Sequence, residues 1–277
     1  MKKTILAIAA LAVTMTGFSQ DLMSKKGEAY LPEANDYALG FDAVGFFNSL
    51  KTNDASRDIS AGYVQSYGIL TKRFIDAKTA YRFGVRLGIN SQTSKEDVHS
   101  FNDTIEDNAS FVENALKTKG FNLVLSVGKE FRRGNTRVQG YYGYEGMISF
   151  GSGRTTIEYG NNLSDMPTVN PYVEPLQDPR YGNNSSVYVT ETRTGLNFGL
   201  GARAFFGVEY FIAPKISLNA EYGIGAMYNI APRGEVDQST VNNSEVINET
   251  INGKTRATSF NLMTDVSQGA VRILFHF

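Results

Sequence analysis

Few residues of this chain have the types and spacing that catalysis requires. The sequence contains two histidines, His99 and His276, and no cysteine. A hydroxyl nucleophile needs a histidine and a carboxylate beside it, and neither histidine is predicted to join such a set at the end of the fold that carries the long loops. Asp103 and Asp107 suit calcium binding or acid–base chemistry, but polar loop composition explains them more simply. We therefore predict a protein that is not an enzyme and that has no cofactor or metal.

The clearest chemical pattern is an alternation of charged and apolar side chains. In the segment 80–90, one set of alternate positions holds Tyr81, Phe83, Val85, Leu87 and Ile89, and the other holds Arg82, Gly84, Arg86, Gly88 and Asn90. A period of two residues is typical of a β-strand whose two faces meet different surroundings. The charges are therefore predicted to share one face of a β-sheet.

Eight segments show this alternation. They are residues 36–48, 64–75, 80–90, 121–131, 138–150, 196–210, 216–228 and 266–277. The second has two possible registers, one through Tyr67, Ile69 and Thr71 and one through Gly68, Leu70 and Lys72. We predict an all-β fold, an eight-stranded antiparallel up-and-down β-barrel.

The connections between these strands alternate between long and short. The short ones are 76–79, 132–136 and 213–215, and the long ones are 49–62, 91–119, 151–191 and 231–258. Within the long ones, 187–190 is predicted to extend the sixth strand, and 241–252 to form a protruding hairpin. Outer-membrane barrels have this asymmetry, with short periplasmic turns and long external loops.

The charged faces decide which side of the barrel meets lipid. An arginine at the middle of a membrane costs about 2–4 kcal/mol, and a glutamate somewhat less. The charged faces are therefore predicted to line the interior, while the apolar faces meet lipid. The opposite arrangement, a soluble lipocalin-like barrel, would expose the apolar face of 81–89 to water.

The predicted interior holds charges of both signs. They are Asp42, Arg82, Arg86, Glu130, Glu145, Arg203, Glu209, Glu221 and Arg272, with Lys72 in the second register of strand two. Unpaired charges would be costly there, and eight strands leave little more than room for side chains. We predict a paired network that plugs the lumen. The rival is a narrow channel, for which space is left by the inward Gly84, Gly88, Gly143, Gly199, Gly201, Gly223 and Gly225.

Both ends of the chain indicate export. Lys2 and Lys3 precede an apolar run, 5–13, and the small residues Gly17 and Ser19 follow, so residues 1–19 are predicted to be a signal peptide. Residues 20–35 then form a periplasmic segment, and 36–277 the barrel. Without Lys2 and Lys3 the net charge of −1 becomes −1 − 2 = −3, which does not favour a nucleic-acid partner.

The last strand carries alternating apolar residues, Val271, Ile273, Phe275 and Phe277. With the signal peptide and the strand pattern, this aromatic end resembles the small outer-membrane β-barrel superfamily of the OmpA/OmpW/OmpX type. The stretches 26–34 and 36–43, and Phe18-Ser19-Gln20, are similar to Bacteroidetes outer-membrane proteins. The resemblance implies an outer-membrane location and recognition of the last strand by the barrel-assembly machinery. It implies little about activity, because fold does not determine function.

These observations lead to one expected function and one alternative. We expect a monomeric integral outer-membrane protein, surrounded by lipid, that acts as an envelope scaffold or presents its loops to a partner that the sequence does not identify. The alternative is a small pore or carrier for a hydrophobic or small polar solute.

Overall fold

The computed structural model describes residues 22–42, 68–100, 110–165, 185–242, 245–253, 256–264 and 270–277. The predicted signal peptide, the loop 49–62, and the pair Asp103 and Asp107 lie outside these ranges. Among the described residues, no helix combines the length and the apolar character needed to cross a membrane.

Twelve strands make up almost all of the described fold. They are β1 (Tyr37–Asp42), β2 (Gly68–Asp76), β3 (Thr79–His99), β4 (Phe111–Arg133), β5 (Val138–Glu158), β6 (Ser185–Arg193), β7 (Asn197–Ala213), β8 (Ile216–Ala231), β9 (Glu235–Asn242), β10 (Glu245–Asn252), β11 (Ala257–Thr264) and β12 (Ala270–His276). One turn of 3₁₀ helix, Leu163–Asp165, follows β5. The prediction of an all-β antiparallel fold is confirmed.

Eight of the strands pair into a closed ring. The order is β1, β2, β3, β4, β5, β7, β8 and β12, and β12 pairs with β1 again. Every pairing in the ring is antiparallel. β2 takes the second of the two predicted registers, because Gly68 lies opposite Arg86 and Lys72 opposite Arg82.

The strand count of eight was wrong for the described residues, because β6, β9, β10 and β11 are additional strands. β11 pairs with β8 next to β12. β6, β9 and β11 each continue a ring strand beyond a short break, and β10 pairs with β9. Phe198 pairs with Ile230 in the ring. Arg193, five residues before Phe198, pairs with Glu235, five residues after Ile230. Thus β6 continues β7, and β9 continues β8, without loss of register. The predicted hairpin at 241–252 is real but begins earlier, at Glu235.

Much of what was predicted as long loop is strand. β3 runs on to His99, β4 begins at Phe111, and β5 runs on to Glu158. Together with β6, β9 and β10 they form an extension beyond the ring. The extension has a small core of its own, in which Tyr188 and Val241 are buried against Tyr159, Leu163 and Val246. Local alternation is weaker here because both faces of these strands carry polar residues.

The opposite end of the ring has tight turns and the N-terminal segment. The turns are 77–78, 134–137 and 214–215, and Lys215 adopts a left-handed φ of 59°. The amide of Asn35 donates to the carbonyl of Phe74 at 2.9 Å. The guanidinium of Arg137 lies 3.6 Å from the centre of the Tyr30 ring. Residues 22–36 are therefore fastened to this end of the ring.

Candidate functional site

The candidate site is the interior face of the ring, where the strand alternation places charged side chains. Arg82 is 1% exposed, whereas its neighbours Tyr81 and Phe83 are 45% and 50% exposed. The same contrast holds for Arg203, which is buried between outward-facing residues. The ring therefore has ionic side chains inside and apolar side chains outside, the reverse of a soluble β-barrel.

The first cluster lies toward the end with short turns and has two carboxylates at its centre. Lys72 Nζ lies 2.9 Å from Glu130 and 3.1 Å from Glu209. Arg132 Nη1 contacts the same two carboxylates at 3.1 and 3.0 Å, and its Nε donates to Gln139 at 2.8 Å. Two cations and two carboxylates thus alternate in a closed square, and each charge has two partners of opposite sign.

The second cluster lies next along the axis and is centred on Glu221. Arg82 contacts Glu221 at 2.8 Å, Arg203 at 3.0 Å and Arg272 at 3.4 Å. Arg203 also contacts Glu145 at 2.9 Å. Arg82 Nη1 reaches Glu130 at 3.5 Å, so it joins the two clusters into one network.

Seven of the eight ring strands contribute to this network. Lys72 comes from β2, Arg82 from β3, Glu130 and Arg132 from β4, Glu145 from β5, Arg203 and Glu209 from β7, Glu221 from β8 and Arg272 from β12. The eighth, β1, would contribute Asp42, whose side chain lies outside the described part. Because all of these contacts except Arg132–Glu130 join different strands, the network crosses the interior rather than coating one wall.

Aromatic rings fill the space between the ionic groups. The guanidinium of Arg82 lies 3.8 Å from the centre of the Phe205 ring, and Lys72 Nζ lies 4.9 Å from that of Tyr141. The Tyr141 hydroxyl donates to Asn219 at 2.8 Å and lies 3.2 Å from Glu221. Such cation–π contacts add attraction in a site with little water.

At two of the inward glycines, Gly143 and Gly223, groups from other strands occupy the space that a side chain would take. A methyl carbon at Gly223 would lie 2.2 Å from Arg203 Nε, and one at Gly143 would lie 2.6 Å from the Phe205 ring and 2.1 Å from the carbonyl of Lys129. These glycines accommodate large side chains from other strands. Gly88 is different, because its nearest neighbour would be 3.8 Å away.

The sequence predicted Arg86 as part of the interior network and did not predict Arg132 there. Arg86 is half-buried, and its electrostatic neighbours include Arg272, Glu145, Arg203 and Glu221. Arg132 was placed in a turn by the sequence, yet β4 continues through it to Arg133. Its inward position follows from the alternation after Glu130, the signal that could have found it.

His276 lies beside Ser217 and Glu209, a set that the sequence did not bring together. The arrangement differs from that of a hydrolase, since His276 Nε2 contacts both the serine (3.1 Å) and the carboxylate (3.0 Å). The serine hydroxyl donates to Glu209 at 2.6 Å, so its proton is not directed at the imidazole. All three residues are buried.

The other histidine lies far from this set, in the extension. His99 ends β3 rather than lying in a loop, and its ring packs at 4.6 Å from that of Phe111. Within the described ranges, no group of three or more His, Cys, Asp or Glu side chains could hold a metal ion.

The outer half of the interior, toward the extension, contains a cavity of about 550 Å³. Its lining combines apolar side chains, Phe121, Phe150 and Ile230 among them, with polar ones such as Asn90 and Asn229. The interior is thus divided into an ionic half and a cavity that begins beyond it.

The four apolar residues of the last strand face outward. Val271 is 40% exposed, Phe275 44% and Phe277 70%, whereas Arg272, Leu274 and His276 between them are buried. Ile273 shares the outward face and lies opposite Phe41 of β1. These residues therefore belong to the apolar exterior of the ring.

Comparisons with known proteins add little to this geometry. No protein-family model matches the chain, and no curated protein matches it. Among solved structures, the chain is similar to a major outer membrane protein from Thermus thermophilus, with 13% sequence identity over 87% of this chain and 98% of that chain. The TM-score is 0.30, which is too low for the likeness to carry an argument.

Proposed function

We propose that this chain is a non-enzymatic integral outer-membrane protein. In this proposal the ring of eight strands spans the membrane as an up-and-down β-barrel whose lumen is plugged by the ionic network. The protein serves as an envelope scaffold, or presents its extension to a partner at the cell surface. The observation that carries the proposal is the inverted ring, apolar outside and ionic inside.

The size and the height of the apolar exterior support a membrane location. Outward residues such as Phe83, Val127, Leu200 and Ile224 are 50–59% exposed, and soluble proteins rarely expose more than a few hundred Å² of contiguous apolar surface. On β4 the exterior runs from Phe121 to Phe131, ten steps or roughly 33 Å. At the strand tilt usual in such barrels this spans about 25 Å, the usual height of their apolar band.

Ring closure supports the same proposal. Hydrocarbon offers no hydrogen bonds, so a strand edge left open in the membrane would be costly. Pairing of β12 with β1 removes that edge. A ring closed by its own strands also needs no second chain, so we infer a monomer. We further infer that the barrel-assembly machinery inserts it and that outer-membrane lipid surrounds it.

The two ends of the ring support one orientation of the protein in the outer membrane. The extension would face the cell exterior, and the short turns with residues 22–36 the periplasm. Lys129 is the one cation on the outward face of β4 between Phe121 and Phe131. It lies next to the short-turn end, 5.3 Å from the centre of the Phe131 ring, where its ammonium can reach the headgroups.

Single-channel recording of the full chain in planar lipid bilayers tests the plug. We expect insertion, detected by protease protection of the ring in vesicles, without stable conductance. Large and stable conductance would contradict the plug, and a chain that stays soluble without detergent would contradict the membrane location.

The cavity in the outer half of the interior favours a second candidate, a small pore or carrier. Polar side chains such as Asn90 and Asn229 could hold a small polar solute, and Phe121, Phe150 and Ile230 could contact a hydrophobic one. Swelling of proteoliposomes in small sugars or amino acids separates the two functions. Solute entry would favour the pore, and its absence the plugged scaffold.

A further inference from the structure

We propose that the outer face of β4, β5 and β6 carries a binding site for a phosphate group, with phosphorylated lipid headgroups as the expected source. The site is formed by Lys119, Arg154 and Arg193, with Arg233 beside them. The lipid source rests on the proposed membrane location, whereas the phosphate site itself does not.

The strand register places three cations side by side. Lys119 lies directly opposite Arg154, and Arg154 directly opposite Arg193. Side chains of directly opposed residues point to the same face of a sheet. The row continues to Ser91 on one side and to Glu235 on the other.

Like charges in direct opposition destabilise a sheet, and the carboxylates nearby offset only part of this row. Glu191 lies between two of the cations, 3.3 Å from Arg154 and 3.2 Å from Arg193. Arg193 also contacts Glu235 at 3.5 Å and Asp237 at 2.6 Å.

Two cations of the set remain available for an external anion. Lys119 and Arg233 are exposed, and neither forms an ion pair with a residue in the described ranges. The side chain of Arg154 is 54% exposed, so part of its guanidinium is also open to a ligand.

The same residues surround one cavity of about 610 Å³. Lys119, Arg154, Arg193 and Arg233 line it, against a single carboxylate, Glu235. Its remaining lining includes the hydroxyl residues Ser152 and Thr194 and the backbone of several glycines. Guanidinium groups bind phosphate oxygens in bidentate fashion and a lysine adds a point charge, so phosphate fits the lining.

The position of the row points to a lipid headgroup rather than to a free anion. Lys119 precedes Phe121 on the outward face of β4 by two residues and therefore lies about 7 Å nearer to the extension. Phe121 and the neighbouring Ile89 are the last exposed apolar residues of β4 and β3 before the row. A cation at that distance beyond an apolar band lies where headgroup phosphates lie.

The test uses the full chain in detergent, titrated with inorganic phosphate and with dihexanoylphosphatidic acid and followed by native mass spectrometry. The double variant Lys119→Gln/Arg154→Gln is expected to bind the phosphatidic acid about tenfold or more weakly. The matched control is Lys117→Gln, two residues before Lys119 in β4, because the ammonium of Lys117 is already paired with Glu158 at 2.5 Å. It should leave the affinity unchanged.

The outcomes separate the site from its ligand source and from the membrane proposal. Tighter binding of the phosphatidic acid than of inorganic phosphate supports the lipid source, and equal binding supports the phosphate site but overturns that source. Loss of affinity in the control as large as in the double variant, or none in either, overturns the site. Because the titration is done in detergent, it does not depend on whether the ring spans a bilayer.

Discussion

At the scale of single residues, the interior carboxylates hold the structure of the lumen together. Glu130, Glu209 and Glu221 each contact at least two cations from other strands. Removing one partner of a buried ionic group costs more than the interaction is worth, because the remaining charge stays buried. The stability of the ring should therefore be sensitive to single neutral substitutions here.

The substitution Glu209→Gln is the sharpest residue-scale test. Glu209 contacts Lys72, Arg132, His276 and Ser217 at 2.6–3.1 Å. Without its charge, two cations share Glu130 alone, and we expect the free energy of unfolding to fall by about 3–5 kcal/mol. Urea titration of the protein in lipid vesicles measures this.

The control is Glu235→Gln, which removes a carboxylate of the extension whose side chain is 47% exposed. Its effect should stay within about 0.5 kcal/mol. If both variants lost the same free energy of unfolding, the buried network would not stabilise the ring more than an exposed ion pair does.

At the scale of elements, the long strands serve two environments in succession. Within the ring, β3, β4 and β5 carry an apolar outer face, and beyond it the same strands become polar on both faces. The breaks between β6 and β7 and between β8 and β9 fall where this change occurs. The extension is then stabilised by its own small core around Tyr188.

Depth along β3 provides the first prediction at this scale. Val85 lies in the middle of the outward face of β3, opposite Leu125, and Ile89 lies near its outer end, opposite Phe121. In a bilayer, Val85→Arg should cost about 2–4 kcal/mol and Ile89→Arg only about 0–1 kcal/mol. Unfolding in vesicles measures both, and equal costs would contradict a membrane around the ring.

The second prediction at this scale is that the stability of the small core of the extension depends on pH. Burial raises the pKa of the Tyr159 phenol, and the neighbouring Tyr188 adds to the rise. A raised pKa in the folded state means that this stabilisation is complete below the unfolded value of about 10 and is lost as the pH rises above it. Protease cleavage within β6 and β9 should therefore increase between about pH 9 and 11.

Tyr159→Phe is the matched variant for this experiment. It keeps the ring of the side chain but removes the ionisable hydroxyl, which donates to the carbonyl of Val189 at 2.9 Å. The variant should be cleaved at a rate that changes less with pH. An unchanged pH dependence would assign the effect to another group.

At the scale of the whole molecule, closure of the ring is the feature on which the proposals depend. β12 reaches β1 across the entire length of the chain, with Leu39 opposite Phe275. The closure gives the interior its walls and removes the exposed strand edges. It also brings the end of the ring strands against the N-terminal segment.

A cross-link can test the closure, because the chain has no native cysteine. Leu39→Cys/Phe275→Cys should form a disulfide, since directly opposed residues lie within the required Cα separation. Leu39→Cys/Val271→Cys, displaced by four residues along the same outward face, should not. Gel mobility before and after reduction reads the result, and a cross-link in the second pair but not the first would contradict the register.

The sequence alone determined the properties that depend on neighbouring residues. Strict alternation in segments such as 80–90 and 196–210 identified the strands and assigned Arg82 and Arg203 to one face and the aromatic residues to the other. The order of long and short connections indicated antiparallel neighbours. These conclusions hold because a strand repeats every two residues, whatever it packs against.

Only the tertiary structure decided which groups meet across the ring. Glu221 is approached by arginines from β3, β7 and β12, and no local pattern encodes that convergence. The glycines that seemed to open the lumen, such as Gly143 and Gly223, instead make room for Phe205 and Arg203 from neighbouring strands. The same is true of the cation row on the outer face, since Lys119, Arg154 and Arg193 become neighbours through strand register. Pairing between distant strands sets these contacts, and its geometry is a property of the closed ring rather than of any single segment.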